Sequence, residues 1–271
     1  MRKVKKEEIQ PLLLNMLKTL KDFFDRNNLT FYLAGGTLLG AIRHQGFIPW
    51  DDDIDVVIKK DVYKKLTELA KENPFIDESK RYCFLLPATG TNIQPIFQLI
   101  DTKTIVYEKN VDKQYAKGLW IDIFCLSYWP DNQKQAERIM KQQKRLLKML
   151  QLSICGNLQD RMYKFIYPFA LPVKKMMLAA GMNSIYWSKK LLQLGNYPPS
   201  HYIGNLCWAS SIKDRYPKEY YDKTAKVLFE GMEFDAPGEF ASVLTQFYGN
   251  YMQLPPEEKR VGHTFSAYFI D

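Results

Sequence analysis

Ile9, Leu13, Met16, Leu17, Leu20 and Phe24 recur at the spacing of one helical face and predict an amphipathic helix running to about Asn27. A short β-branched and aromatic run, Thr30 to Ala34, then predicts a strand that Gly35-Gly36 breaks. Thr37 is placed to cap a short helix through Arg43. Gly46 to Trp50 reads as a loop, Ile54 to Ile58 as a second strand and Asp61 to Lys71 as a polar helix. Strand-like runs follow at Ile93 to Ile100, Thr104 to Tyr107 and Leu119 to Phe124.

The texture changes at Asn132. Gln133 to Gln151 is a long lysine-rich helix, and Arg161 to Lys190 mixes aromatics, methionines and lysines with Pro168 and Pro172. Further on, Gly231 marks a turn between Val227-Leu228-Phe229 and Met232-Glu233-Phe234, and Glu239 to Phe247 is again helical. Strands flanked by helices predict an α/β (α+β) fold with a mixed sheet and a helical insertion in the middle of the chain. The expected organisation is a catalytic core over 1–130, a helical insertion over 131–200 and a C-terminal part over 201–271 that packs back on the core. No internal repeat or low-complexity linker interrupts it.

Composition changes this picture little. The 271 residues are 46% hydrophobic and 14% aromatic, enough apolar material for a sizeable core. The net charge of +8 suits an anionic substrate, an anionic membrane surface, nucleic acid or plain solubility, and does not choose among them. The four cysteines stand apart without a CxxC pair, which argues against a zinc cluster and for a reduced, cytoplasmic setting. The basic start Met1 to Lys6 is not followed by an unbroken apolar stretch, so a signal peptide is not expected. No apolar run reaches the length of a membrane-spanning helix.

The candidate chemistry sits in Gly35 to Gly40 and Trp50 to Val56. Asp51, Asp52, Asp53 and Asp55 crowd negative charge at the entrance to an apolar strand, which is costly unless something neutralises it. Strand alternation puts Asp53, Asp55 and Val57 on one face and Ile54, Val56 and Ile58 on the inward face. Two carboxylates two residues apart can share a divalent cation, and oxygen ligands favour Mg2+ or Mn2+. A solvated acidic turn is the plain alternative. Gly35-Gly36, between a strand and a helix, allows close backbone approach and offers amides to phosphate. Asp122 interrupts the apolar strand Trp120 to Phe124 and is the candidate third acid, the alternative being a hydrogen-bonded structural Asp.

The run from Ala34 to Asp55, with Gly-Gly-Thr-Leu-Leu-Gly and Trp-Asp-Asp-Asp-Ile-Asp, resembles the signature of LicD-type phosphotransferases. The resemblance continues at Gly118 to Phe124, Tyr216 to Tyr220, Phe229 to Gly231, Tyr248 to Met252, Leu254 to Pro256, Arg260 and His263, leaving out the helical middle. Cys125 stands where the family pattern leads one to expect proline, a departure expected to alter the strand exit and not the metal site. The resemblance implies a nucleotidyltransferase-like fold and transfer of phosphocholine, or a similar phospho-alcohol, from a CDP-activated donor. The acceptor would be a sugar hydroxyl of a glycan or lipid-linked glycan, such as a teichoic acid precursor or lipopolysaccharide. Nucleic acid is not an expected partner.

On this reading Asp53, Asp55 and Asp122 are catalytic and hold Mg2+ (or Mn2+), with Asp122 alternatively taking the proton of the attacking hydroxyl. Gly35, Gly36 and Thr37 would contact phosphate, and Arg43, His44, Arg260 and His263 are candidates for phosphate or leaving-group contacts. Tyr107, Tyr115, Trp120, Tyr128, Trp129 and Trp208 are candidate walls of a cage for a choline group. Tyr163 to Met182 is apolar, aromatic and basic, and is either core of the insertion or a peripheral contact at the inner face of the membrane. The competing activities are a nucleotidyltransferase that moves NMP from an NTP and a non-catalytic basic binding protein. The second leaves three acids so placed without a purpose.

Overall fold

The computed structural model describes residues 1–87, 89–156, 161–262 and 265–270, with backbone alone for 161–167. Its strands are Arg2–Lys3 (β1), Tyr32–Leu33 (β2), Asp55–Ile58 (β3), Tyr82–Leu85 (β4), Phe97–Asp101 (β5), Thr104–Glu108 (β6), Trp120–Cys125 (β7), Ser127–Trp129 (β8), Tyr202–Gly204 (β9), Tyr216–Pro217 (β10), Thr224–Phe229 (β11), Met232–Pro237 (β12) and Phe265–Phe269 (β13). The helices are Lys6–Arg26 (α1), Gly35–His44 (α2), Lys60–Glu72 (α3), Gln133–Ile154 (α4), Arg161–Ala179 (α5), Ser184–Leu194 (α6) and Phe240–Tyr248 (α7). The result is an α/β fold.

A five-stranded sheet in the order β2-β3-β7-β5-β4 forms the centre. Only β3 and β7 run parallel in it, and the other pairs are antiparallel. All six apolar positions read from the sequence on α1 are buried, and the helix packs against β7 in the main core. Ile54, Val56, Ile58, Ile121 and Ile123 are fully buried in that core. Alternation turns Asp55 and Val57 of β3, and Asp122 and Phe124 of β7, the other way, to line one cavity. Smaller sheets, β1-β13-β6 and β10-β9-β8, and the β11-β12 hairpin surround the centre. The hairpin turns through Glu230 and Gly231, both at positive φ (50° and 75°), the two-residue turn whose twist suits a hairpin. The helical middle, where α4 packs on α5 and α6, carries small clusters of its own around Trp129 and Leu150.

Two expectations need correction. Thr37 does not cap α2: the helix starts at Gly35 with Ala34 before it and no side-chain cap. The threonine hydroxyl, buried within the first turn, instead accepts a hydrogen bond from the Asp55 amide at 2.9 Å. The strand expected from Ile93 starts only at Phe97, because the Asn92 side chain closes Ile93 to Ile96 into a turn. Its Nδ2 donates to the Ile96 carbonyl (2.8 Å), and its Oδ1 accepts from the Gln94 amide (3.0 Å). The stretch Arg161 to Lys190 is two helices, α5 and α6, parted at Gly181, whose φ of +74° ends the first. The four cysteines are free. Among the described residues no helix is long and apolar enough to cross a membrane.

Candidate active site

Parallel pairing of β3 with β7 sets Asp55 and Asp122 directly side by side. Two acids that lie 67 positions apart in the chain thus become neighbours on one sheet face. The turn from β2 into α2 closes over them. A Cβ on Gly35 would lie 2.6 Å from Asp55 Oδ2, and Gly35 has a φ of +52°. A Cβ on Gly36 would lie 2.5 Å from Asp51 Oδ2. The close approach of the acids therefore favours glycine at both positions, and the backbone turn favours it at Gly35 as well. Gln10 steadies the acidic loop, its Nε2 donating to the Asp51 carbonyl at 2.8 Å and to that of Ile48 at 3.3 Å.

Burial and like charge dominate the electrostatics. Burial drives the Asp55 carboxyl well above the ordinary carboxylate range, and the charges of Asp53, Asp122 and Asp51 add to the rise. Burial also raises Asp122, even though Lys117, Gln98 and Trp120 favour its ionised form. Gln98 and Lys117 were not foreseen from the sequence. The fully buried Gln98 donates from Nε2 to Asp122 Oδ1 at 2.7 Å, while its Oε1 accepts from Lys117 Nζ at 2.8 Å. The lysine therefore fixes which way the amide points, and the amide fixes one Asp122 oxygen. Burial lowers the Lys117 pKa, with Glu108 and Asp122 opposing the shift.

Two cavities meet at the acids. The larger, about 310 Å³, is lined by Gly35, Asp53, Asp55, Asp122 and a wall of Phe124, Tyr216, Tyr221, Phe247 and Tyr248. The smaller, about 200 Å³, is lined by Asp52, Asp53, Glu108, Trp120, Asp122, Trp208 and Phe265 among others. Asp53, Asp122 and Trp208 belong to both. A third hollow of about 480 Å³ adjoins the larger cavity through Leu126 and Tyr221 and carries Lys59, Lys60, Lys64 and Lys218.

The acids fit a divalent cation of a particular kind. Among the described residues no group of three or more carboxylate, imidazole or thiol side chains stands ready to enclose an ion. Mg2+ does not ask for such a cage: it keeps several waters and is held by one or two carboxylates together with substrate phosphates. Paired carboxylates whose pKa is lifted by burial first, and for Asp55 by like charge as well, open to a cavity on one side, match that demand and would relax around a cation. Asp55 and Asp122 would hold it, with Asp53 on the same cavity.

The basic candidates lie elsewhere. Arg43 Nη1 donates to the Tyr251 carbonyl at 2.9 Å and the Gln253 carbonyl at 3.4 Å, tying α2 to the C-terminal turn. The His44 ring stands edge-on to Trp50 at 6.4 Å, and the Arg260 guanidinium lies 5.5 Å from the same indole. Arg260 also donates to the Pro255 carbonyl at 2.9 Å. None of these three side chains lines either cavity at the acids; His44 and Arg260 meet at Trp50, which precedes the acidic run, and Arg43 is held at the C-terminal turn. His263 lies outside the described residues.

Residues 28–159 match the family described as LicD/FKTN/FKRP, nucleotidyltransferase domain. The whole chain is 29% identical over 280 residues to the lipopolysaccharide cholinephosphotransferase LicD of Haemophilus influenzae, covering all of both chains. A 46-residue stretch, 17% of this chain, is 46% identical to uncharacterized proteins of Rickettsia prowazekii and Rickettsia typhi, of which it covers 17% and 15%.

Proposed function

We propose that this chain, which matches the LicD-type family over residues 28–159 and is similar along its whole length to a lipopolysaccharide cholinephosphotransferase, transfers phosphocholine, or a similar phospho-alcohol, from a CDP-activated donor to a sugar hydroxyl of a surface glycan, with Mg2+. The observation that carries this reading is the in-register pairing of Asp55 with Asp122 beneath Gly35, which brings two buried carboxylates and an open helix N-terminus to one point. The full-length relative is named for choline phosphate transfer to lipopolysaccharide. A divalent cation at the acids would withdraw charge from the phosphoryl oxygens and the departing CMP.

The protein's own groups have separable tasks. Gly35 and Gly36 let the acids come close against the start of α2, where a donor phosphate bridged to them by a cation would meet the helix N-terminus. Asp122, oriented by Gln98, would either hold the cation with Asp55 or, where Asp53 takes that place, accept the proton of an acceptor hydroxyl. The hollow next to the larger cavity, where Lys59, Lys60, Lys64 and Lys218 outnumber Asp61 and Asp222, supports an acceptor that carries negative charge. Phe169, Val173 and Met176 are exposed on α5 beside Lys174 and Lys175, which supports peripheral contact with a membrane that carries a lipid-linked acceptor.

The deciding assay offers CDP-choline, CDP-ethanolamine, CDP-glycerol and NTPs in turn, with Mg2+ and with EDTA. CMP release from a CDP-alcohol that EDTA abolishes is the expected result. Pyrophosphate release from an NTP, with no CMP from any CDP-alcohol, would replace this reading with nucleotidyl transfer. Asp53→Ala that left all activity intact would remove the metal from the account.

A further inference from the structure

The smaller cavity has walls whose chemistry is specific. Trp120, Trp208 and Phe265 supply three aromatic surfaces, and Glu108, Asp53 and Asp122 supply carboxylates. Among the described residues no lysine or arginine lines it. Aromatic faces and carboxylates together are the recognition chemistry of an organic cation, because the ring quadrupole attracts positive charge without needing a hydrogen-bond donor in return. Trp120 already serves in this way inside the protein: Lys117 Nζ lies over its ring, 4.5 Å from the centroid.

Size and position narrow the occupant. At about 200 Å³ the cavity is below the roughly 300 Å³ at which pockets begin to enclose drug-sized ligands. It admits a small head group and not a nucleoside. It shares Asp53, Asp122 and Trp208 with the larger cavity, so a molecule whose phosphates lie at the acids can send one arm into each.

Resting on the reading above that the donor is a CDP-alcohol, we propose that the two cavities divide that donor: the nucleoside enters the larger, and the alcohol end enters the smaller. Trp120, Trp208 and Glu108 then determine which alcohol is transferred, favouring a quaternary ammonium over a primary ammonium or a neutral polyol. A polyol could bond to the carboxylates but would leave three rings facing hydroxyls. A primary ammonium satisfies the charges but is held back by its hydration. Glu108 lies on β6 opposite Phe265 of β13, so the smaller cavity needs the edge sheet as well as the central one.

The test combines a binding and a turnover measurement. Tetramethylammonium and phosphocholine are titrated against the full chain by tryptophan fluorescence, with wild type, Trp208→Leu and Glu108→Gln compared. Saturable binding weakened about tenfold or more in Trp208→Leu and several-fold in Glu108→Gln is expected. In CMP release, the wild-type preference for CDP-choline over CDP-ethanolamine and CDP-glycerol should fall towards unity in both variants. Glu108→Gln is nearly isosteric on a partly exposed strand end, so it keeps the test open if Trp208→Leu does not fold. Variants that retain the wild-type preference, or a wild type that releases CMP equally from all three donors, overturn the subsite while leaving CDP-alcohol transfer standing. Absence of CMP from every CDP-alcohol overturns the transfer itself.

Discussion

At the scale of single residues the site is built against its own stability. Asp55 is buried among like charges, so its carboxyl is held above the ordinary value of 3.8. In that window the folded protein binds a proton that the unfolded chain has released, and unfolding stability therefore falls as pH rises from the unfolded pKa through the folded one. Metal-free wild type should thus lose thermal stability on account of this group as pH rises above the ordinary carboxylate range, and Mg2+ should restore it mainly at the upper end. Asp55→Asn should flatten that pH dependence and raise the melting temperature near pH 8 by about 2–4 °C per kcal/mol relieved, while abolishing turnover. Melting curves with EDTA and with Mg2+ measure both. An unchanged slope in the variant would show that the carboxylate is already neutralised without metal. Gly35→Ala tests the other wall: a Cβ at 2.6 Å from Asp55 Oδ2, on backbone at positive φ, must displace the acid. A fall in turnover of about 100-fold or more is expected, with a stability cost of about 1 kcal/mol or more. Turnover within a few-fold of wild type would mean the turn can relax without moving the acid.

Elements carry the precision that residues alone lack. The Asp55 amide is held by Thr37 of α2, the Asp55 carbonyl accepts from the Ala34 amide, and Glu230 at the hairpin tip accepts from the Phe47 amide. The start of β3 is therefore clamped to the same helix turn that is proposed to receive phosphate. Thr37→Val keeps the shape but leaves the Asp55 amide unpaired, at a cost of about 1–3 kcal/mol. Its effect should appear as weaker activation by Mg2+, several-fold in the half-saturating concentration, with Thr37→Ser restoring it. Loss of stability with unchanged Mg2+ dependence would reduce Thr37 to a packing role. Much of this level was legible in the sequence. Helical periodicity gave the buried face of α1, and alternation put Ile54, Val56 and Ile58 inward and Asp55 outward. The pairing of Asp55 with Asp122 was not legible, since register between distant strands is set by the whole sheet. Gln98 had a signal that went unused: like Asp122, it is a lone polar side chain in an apolar run, Phe97 to Ile100. Lys117 had none, because nothing local marks one lysine among many as buried. The same limit separates Arg43, His44 and Arg260 from the acids: motif proximity in sequence brought them to Trp50 and the C-terminal turn, not to the cavities.

For the molecule as a whole the question is how an acceptor reaches the acids. Phe169, Val173 and Met176 fall at successive turns of α5, so they form one outward stripe, while Met177 turns inward and is buried. Lys175 is exposed beside the stripe, and Lys174 is tethered, its Nζ donating to the Cys155 carbonyl. Exposed apolar residues flanked by lysines on a helix too short of apolar length to cross a bilayer suit a position in the interface. Each lysine near an anionic surface contributes about 1 kcal/mol, so the stripe and its flanks together are enough for weak, salt-sensitive attachment. In flotation with vesicles containing anionic lipid, the wild type should rise with the vesicles at low salt and less so at high salt. Phe169→Glu combined with Met176→Glu should abolish flotation without changing CMP release from a soluble donor, because the stripe lies apart from the residues that line the cavities. Flotation that survives both substitutions would move the contact to another surface, and flotation insensitive to salt would leave the lysines without a part in it. If the stripe does bind, the cost of losing it falls on lipid-linked acceptors alone: a membrane-bound acceptor would be used more slowly by the double variant, and a water-soluble glycan at the wild-type rate.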